Sequence, residues 1–383
     1  MQLATGFVEK TAARTSLVGV MHIVDSLEIG GAERVAVNLV SALPRDRYVP
    51  YLCTTHHGGP LASLLPPDVT TLHLHRRSRL DVAAVMRMVS FIRSHGIRIV
   101  HAHGTTIFFT RIAATFCPGM SVVWHDHYGL CETEERRPWL YRLAAGSADA
   151  VVCVNERLAR WAREALRVPA SRVWYVPNLA CPSPCLGAPP QLPGSRGFRI
   201  VCVANFRRQK DHFTLLRAMS SVVSRYPEAH LFLVGAPNDP EYLAAVRRLA
   251  YELNLHRNVL FLGQREDVGA LLAACDIGVL SSLSEGLPLA LLEYAASGLG
   301  IVATSVGQCA SVLDSGRAGI LVPPANPERL ADALFTLLQS DDVRQSFGAR
   351  ARHHVNIHYS PRAVMGRVCE VYASILRHQR ELS

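Results

Sequence analysis

Two doubly wound parallel sheets facing one cleft, an α/β architecture, are what this sequence predicts, and three features predict it. Short apolar runs rich in β-branched residues alternate with amphipathic stretches of helical period. The alternation breaks once, in a Pro-rich segment, and then restarts. The length of 383 residues agrees, because a single domain ordinarily takes about 100–200 residues.

In the first half, strands are expected at 17–24, 49–54, 69–74, 97–101, 121–125, 150–154 and 172–176, with helical stretches such as 32–43 and 82–95 between them. Strand–helix–strand units cross over right-handed and give parallel sheets of Rossmann-like type. Residues 177–197 hold six Pro, three Gly and two Cys with few periodic apolar positions, which reads as a linker. Strands are expected again at 198–204, 230–234, 259–262, 277–280, 301–304 and 319–322, and helices at 213–225, 241–253, 288–297 and 327–338. From Pro361 to Arg380, Val364, Val368, Val371, Tyr372, Ile375 and Leu376 share one side of a helix. The division that follows is a first domain over 1–180, a linker over 181–197, a second domain over 198–360, and a C-terminal helix over 361–383 that packs back on the first domain.

Composition narrows the function. Forty basic residues against 31 acidic give a net charge of +9, which would suit nucleic acid or an anionic membrane. The excess is spread over both halves, and with 7% aromatic residues and no recognisable nucleic-acid module, a nucleic-acid partner is not expected. All but two of the basic residues are Arg, the exceptions being Lys10 and Lys210. The densest basic stretch, Arg76, Arg77, Arg79, Arg87, Arg93 and Arg98, is either a solvated helix face or a contact with an anionic membrane surface. No secretion signal or spanning helix is visible: the run Leu17–Val24 is too short, and Glu293 interrupts the segment from Gly286 to Thr304. Ten cysteines without a CxxC pair read as buried thiols of a reducing compartment. A cytoplasmic protein, either free or peripheral to the inner face of the plasma membrane, is the expectation.

Ligands of doubly wound sheets bind at the carboxyl ends of the strands, so the chemistry is sought in the strand-to-helix loops. Gly30-Gly31-Ala32-Glu33-Arg34 opens a helix after the first strand and lets backbone approach an anion. It is not the GxGxxG of a nicotinamide dinucleotide site. His101-Ala102-His103 and His125-Asp126-His127 each end a strand, so alternate imidazoles face the same way. Two readings remain open: a metal-dependent hydrolase held by the imidazoles, or hydrogen bonding to a polar substrate. Arg207-Arg208-Gln209-Lys210 follows a strand and would neutralise a diphosphate. Ser284-Glu285-Gly286-Leu287-Pro288 places backbone N–H groups of Gly286 and Leu287 at a helix start. Glu293, eight residues after Glu285, lies two turns along on a face of Leu, Ala and Tyr. A carboxylate there needs a partner, and a pair of hydroxyls suits it.

The spacing Glu285–Glu293 is the EX7E signature, and the chain resembles the family 4 retaining glycosyltransferases of GT-B fold. Further matches are Arg207 with Lys210, Val234-Gly235, Leu262-Gly263 with Asp267-Val268 and Asp276, Gly319-Ile320-Leu321-Val322-Pro323, Pro177-Asn178 and Gly30-Gly31 with Glu33. The likeness runs from about Leu17 to Tyr372, tightest in the second half. It implies a nucleotide-diphosphate sugar donor, an acceptor hydroxyl on a glycan, lipid-linked or small-molecule acceptor, transfer with retained anomeric configuration, and no metal or other cofactor. It further implies that Glu293 binds ribose hydroxyls and Glu285 the donor sugar. Arg207, Lys210 and the Gly286 and Leu287 amides would carry the diphosphate, with Gly30 and Gly31 closing over it and Gly235 at the nucleotide-facing loop. His125 would lie near the transferred sugar. The chain departs from the family pattern at Asn205, where Arg is usual and Arg207 is the substitute, and at Leu179, where Gly is usual. A catalytically silent nucleotide-sugar-binding protein is the remaining alternative.

Overall fold

A computed structural model describes residues 17–129, 136–181 and 190–382; Lys10 and Cys185 lie outside them. The first sheet contains β1 (Val18–Ser26), β2 (Tyr48–His57), β3 (Thr70–His73), β4 (Ile97–His103), β5 (Ser121–Asp126), β6 (Ala150–Cys153) and β7 (Val173–Tyr175). The second contains β8 (Arg199–Val203), β9 (His230–Val234), β10 (Val259–Gly263), β11 (Ile277–Leu280), β12 (Gly300–Thr304) and β13 (Ile320–Val322). Every pairing is parallel. The central strands are covered on both faces, so consecutive residues of β1 such as Val20 and Met21 are both buried, as parallel strands require.

The strand orders are β3-β2-β1-β4-β5-β6-β7 and β10-β9-β8-β11-β12-β13. In each sheet the order reverses beside its first strand, between β1 and β4 and between β8 and β11. A crevice opens at the carboxyl ends of such a pair. The loops carrying Gly30, Arg207 and Glu285 all leave from these two points.

The helix Pro361–Leu382 returns to the first sheet. Its Val364, Val368, Val371, Tyr372 and Ile375 pack with Val20, Val35 and Leu39, as its apolar stripe predicts. The helix Asp341–His358 was not anticipated. Its buried residues include Arg344, Gly348 and Ala351, which make a weak apolar stripe. Arg344 is held by the Leu337 carbonyl at 2.8 Å and by Asp341.

Two local expectations are corrected. Pro288 is extended and caps the helix Leu289–Ser297 rather than lying inside its first turn. The Arg-rich stretch is not one helix face. Arg76, Arg77 and Arg79 lie in the loop before the helix Val82–Ser94, and Arg87 and Arg93 donate to the carbonyls of Leu74 and Phe116. Among the described residues eight cysteines are free thiols, six of them buried, and no helix is long and apolar enough to cross a membrane.

Candidate active site between the two sheets

A cavity of about 660 Å³ lies between the sheets, lined from both sides by the loops at the reversal points. From the first sheet come Gly30, Gly31 and Arg34, and Gly104 and Thr105 after β4. From the second come Arg207, Lys210 and Gly235, and Glu285, Gly286 and Leu287 before the helix that carries Glu293. These include every predicted site residue except His125.

Burial dictates how the acidic groups are held. Glu285 is buried, and Lys210 Nζ donates to its Oε1 at 2.6 Å while Ser282 Oγ donates to the same oxygen at 2.6 Å. Glu293 on the second sheet's side faces Arg34 of the first, with Oε1 and the guanidinium 3.9 Å apart, a contact that spans the cleft. Burial pushes the Glu33 carboxyl up, and the negative charge of Asp25 adds to that.

The glycines divide into two kinds. At Gly31 a Cβ would meet nothing within 4 Å, so the space above it is open to a ligand. At Gly235 a Cβ would fall 2.1 Å from the Ala204 carbonyl oxygen. There the fold itself requires glycine, because β8 and β9 leave their sheet in contact. Asn205, where the resemblance expects Arg, is occupied structurally: its Oδ1 accepts from the Ala236 amide at 2.9 Å. Arg207 lines the cavity in its place.

Several lining residues had no signal of their own in the sequence. Gln209 Nε2 donates to the carbonyls of Ser284 at 2.7 Å and Gly129 at 3.3 Å. Ser284 Oγ also donates to Gly129 at 2.9 Å, so three groups tie the two sheets together at the cavity edge. Asn178 Nδ2 reaches the Leu287 carbonyl at 2.9 Å. Arg136 is clamped on Asp126 by bonds of 2.9 and 2.5 Å and lies over the ring of Trp161 at 3.9 Å. Arg34 and Gln209 were within motifs already singled out; Arg136 and Asn178 acquire their places only through long-range folding.

His125 is a correction of position. It is 1% exposed and lies beneath the cavity wall, whereas His127 lines the cavity. The two rings lie tilted against each other, with centroids 4.0 Å apart and 31° between their planes. His22 of β1, not anticipated, joins the group: His103 bonds His22 at 2.9 Å and His127 at 2.8 Å, and His101 bonds His125 at 3.1 Å. Burial holds His22 and His127 down to about 3 and keeps His101, His103 and His125 well below the ordinary value. Two triplets bring one nitrogen per residue within 4.8 Å. Those imidazoles are hydrogen-bonded to one another through their ring nitrogens, so an ion held there would displace these bonds.

The sequence matches the model of "Glycosyltransferase Family 4" over residues 29–180 and that of "Glycosyl transferases group 1" over residues 197–340. The chain belongs to glycosyltransferase family 4. Like other members it has the GT-B architecture, and its relatives act in glycan, glycolipid and polysaccharide synthesis, with nothing among them favouring a metal-dependent hydrolase. It is 29% identical over 181 residues to the N-acetyl-alpha-D-glucosaminyl L-malate synthase of Bacillus anthracis, covering 47% of this chain and 46% of that protein. It therefore spans less than half the length of that curated relative. A longer match, 24% identical over 318 residues, covers 76% of this chain and 80% of an Escherichia coli UDP-Gal:alpha-D-GlcNAc-diphosphoundecaprenol alpha-1,3-galactosyltransferase. The fold is shared with Anabaena Alr3699/HepE, solved with UDP and glucose, at a TM-score of 0.76 and 17% identity over 93% of this chain and all of that one.

Proposed function

We propose that this chain moves a sugar, with retention of anomeric configuration and without a metal, from a uridine diphosphate sugar to an acceptor hydroxyl. The observation that carries this is the meeting of Glu285 with Lys210, and of Glu293 with Arg34, across a single cavity at the reversal points of both sheets. Uridine is favoured by the ligands named for the Anabaena and Escherichia coli proteins.

In this reading Glu293 takes the ribose hydroxyls and Glu285 a hydroxyl of the donor sugar. The bond from the anomeric carbon to the diphosphate oxygen breaks, and its electron pair stays on the diphosphate. Lys210, Arg207 and the amides of Gly286 and Leu287 stabilise that charge, which is the largest contribution a preorganised site makes. The acceptor oxygen bonds to the anomeric carbon on the face that the diphosphate leaves, and its proton passes to the departing diphosphate oxygen. No step needs a Lewis acid, so transfer is indifferent to EDTA.

A lipid-linked acceptor fits one surface. Leu80 and Val82 are 76% and 71% exposed beside the exposed Arg77 and Arg79. Apolar side chains flanked by arginine suit the headgroup layer of an anionic membrane, which supports a reading in which the chain works at a cytoplasmic membrane face.

The test is transfer from a panel of nucleotide sugars, with the anomeric configuration of the product read by NMR. A UDP-sugar donor and a retained configuration are expected. An inverted product overturns the stereochemistry, and nucleotide-sugar binding without transfer or hydrolysis overturns the enzyme in favour of a silent binding protein.

A further inference from the structure

The buried histidines do more than fill space beneath the cavity wall. Traced by their ring nitrogens, they form one unbranched chain. His127 Nε2 meets His103 Nδ1 at 2.8 Å, and His103 Nε2 meets His22 Nδ1 at 2.9 Å. His22 Nε2 meets Tyr372 Oη at 3.3 Å, Tyr372 Oη meets His101 Nδ1 at 2.7 Å, and His101 Nε2 meets His125 Nδ1 at 3.1 Å. One end, His125 Nε2, is buried with no hydrogen-bond partner among the described residues. At the other end, His127 lines the cavity with Nε2 already turned inward, so Nδ1 is the nitrogen it offers to a ligand.

Proton counting gives this chain two states. Each neutral imidazole has one N–H and one bare nitrogen, and the tyrosine has one O–H. Six groups thus hold six protons and share five hydrogen bonds, and one proton remains for an end. If every donor points inward, His125 Nε2 carries that proton and His127 Nδ1 is bare. If every donor points outward, His125 Nε2 is bare and His127 Nδ1 carries it. A mixed order strands the buried Tyr372 O–H or sets two bare nitrogens against each other. A buried N–H without an acceptor is rarer than an unfilled acceptor, so the outward order is favoured. The histidines stay uncharged at neutral pH because burial disfavours their cationic forms, which keeps the count intact.

We propose that this chain is a tautomer lock: Tyr372, a positioning residue on the returning C-terminal helix, and the partnerless end at His125 together hold His127 as its Nδ1–H form, a hydrogen-bond donor to oxygens in the cleft. The suitable ligand is an oxygen-rich one that accepts hydrogen bonds, such as a sugar hydroxyl or a diphosphate oxygen. This rests on the reading of the cavity as the transfer site, but the lock is detectable without transfer.

The experiment is ¹⁵N NMR of the histidine side chains in the full-length protein, with the His127 signal assigned by its loss in His127→Gln. In the wild type, protonated Nδ1 and bare Nε2 are expected for His127. In Tyr372→Phe, which keeps the ring and cuts the chain, the two nitrogens should average toward a mixture of tautomers while far-UV circular dichroism is unchanged. An Nε2–H form in the wild-type protein overturns the proposal and needs no variant, so a Tyr372→Phe that failed to fold would not protect it. An unchanged His127 tautomer in a folded Tyr372→Phe overturns it as well. Where transfer is measurable, Tyr372→Phe should lower kcat about tenfold, the worth of one hydrogen bond in the transition state, and leave the KM for the nucleotide sugar alone. If the NMR result holds and no transfer is found, the lock stands and the transfer reading falls.

Discussion

Lys210 Nζ lies 2.6 Å from Glu285 Oε1, and this pair joins the loop after β8 to the loop after β11 inside the cavity. Removing one partner of a buried ion pair strands the other, at a cost of about 3–5 kcal/mol when burial is complete. Lys210 keeps a fifth of its side chain exposed, so a smaller loss applies. Lys210→Ala should lower stability by about 1–3 kcal/mol and turnover by a factor on the order of 10²–10³. Lys210→Met combined with Glu285→Gln should recover most of the stability and none of the turnover. Urea denaturation and a transfer assay on the single and double variants check this, and a double variant that transfers would remove the pair from the chemistry.

Glu293 and Glu285 should separate binding from turnover. Hydrogen bonds to a charged group contribute about 1.5–3 kcal/mol, so Glu293→Ala should weaken donor binding by roughly 10- to 100-fold. Glu285→Ala should cut turnover with a smaller change in nucleotide affinity. Isothermal titration with the nucleotide diphosphate, beside kinetics with the sugar nucleotide, distinguishes the two. Equal effects of both variants on both quantities would show that the roles are misplaced.

The two glycine classes make a paired prediction. Gly235→Ala drives a methyl group against the Ala204 carbonyl and should cost about 1–3 kcal/mol of stability. Gly31→Ala meets no protein atom, so its melting temperature should stay within a degree or two while donor affinity falls. Thermal melts and ligand titration of both variants read this directly.

The buried histidines set an acid limit. In the folded chain His22 and His127 are held down to about 3 and His212 to about 4, all by burial. The unfolded chain takes up those protons below about 6.5. Between these values the unfolded state binds more protons, so stability rises with pH and falls on acidification. Melting temperature should be flat from pH 8 to 7 and drop steeply from pH 6 to 4. A profile level down to pH 4 would mean that these imidazoles are not buried as neutral groups.

Much of the fold was legible because parallel strands buried on both faces leave unbroken apolar runs. The expected 230–234 and 277–280 coincide with β9 and β11. The helix Asp341–His358 was not, since it buries Arg344, Gly348 and Ala351 in place of large apolar residues. In the site, Glu285, Glu293, Lys210 and the glycines were readable because each sits in a short motif with a local physical rationale. The histidine chain was not. It depends on the registers that set His22 beside His101 and His103 beside His125, and on Tyr372, 271 positions from His101. No window of sequence holds both ends of such a relationship.

The returning helix Pro361–Leu382 also governs how the halves can move. A polypeptide that passes between two bodies once leaves them free to swivel in every direction. Here it passes a second time near Tyr359, and the first strand of passage touches the second, with the Ala180 amide donating to the Tyr359 carbonyl at 2.7 Å. Two tethers pinned together restrain the halves more than one passage alone would, with Ala180 and Tyr359 at the point where they meet. The first half cannot be cut free at the linker without baring the apolar stripe that the last helix covers.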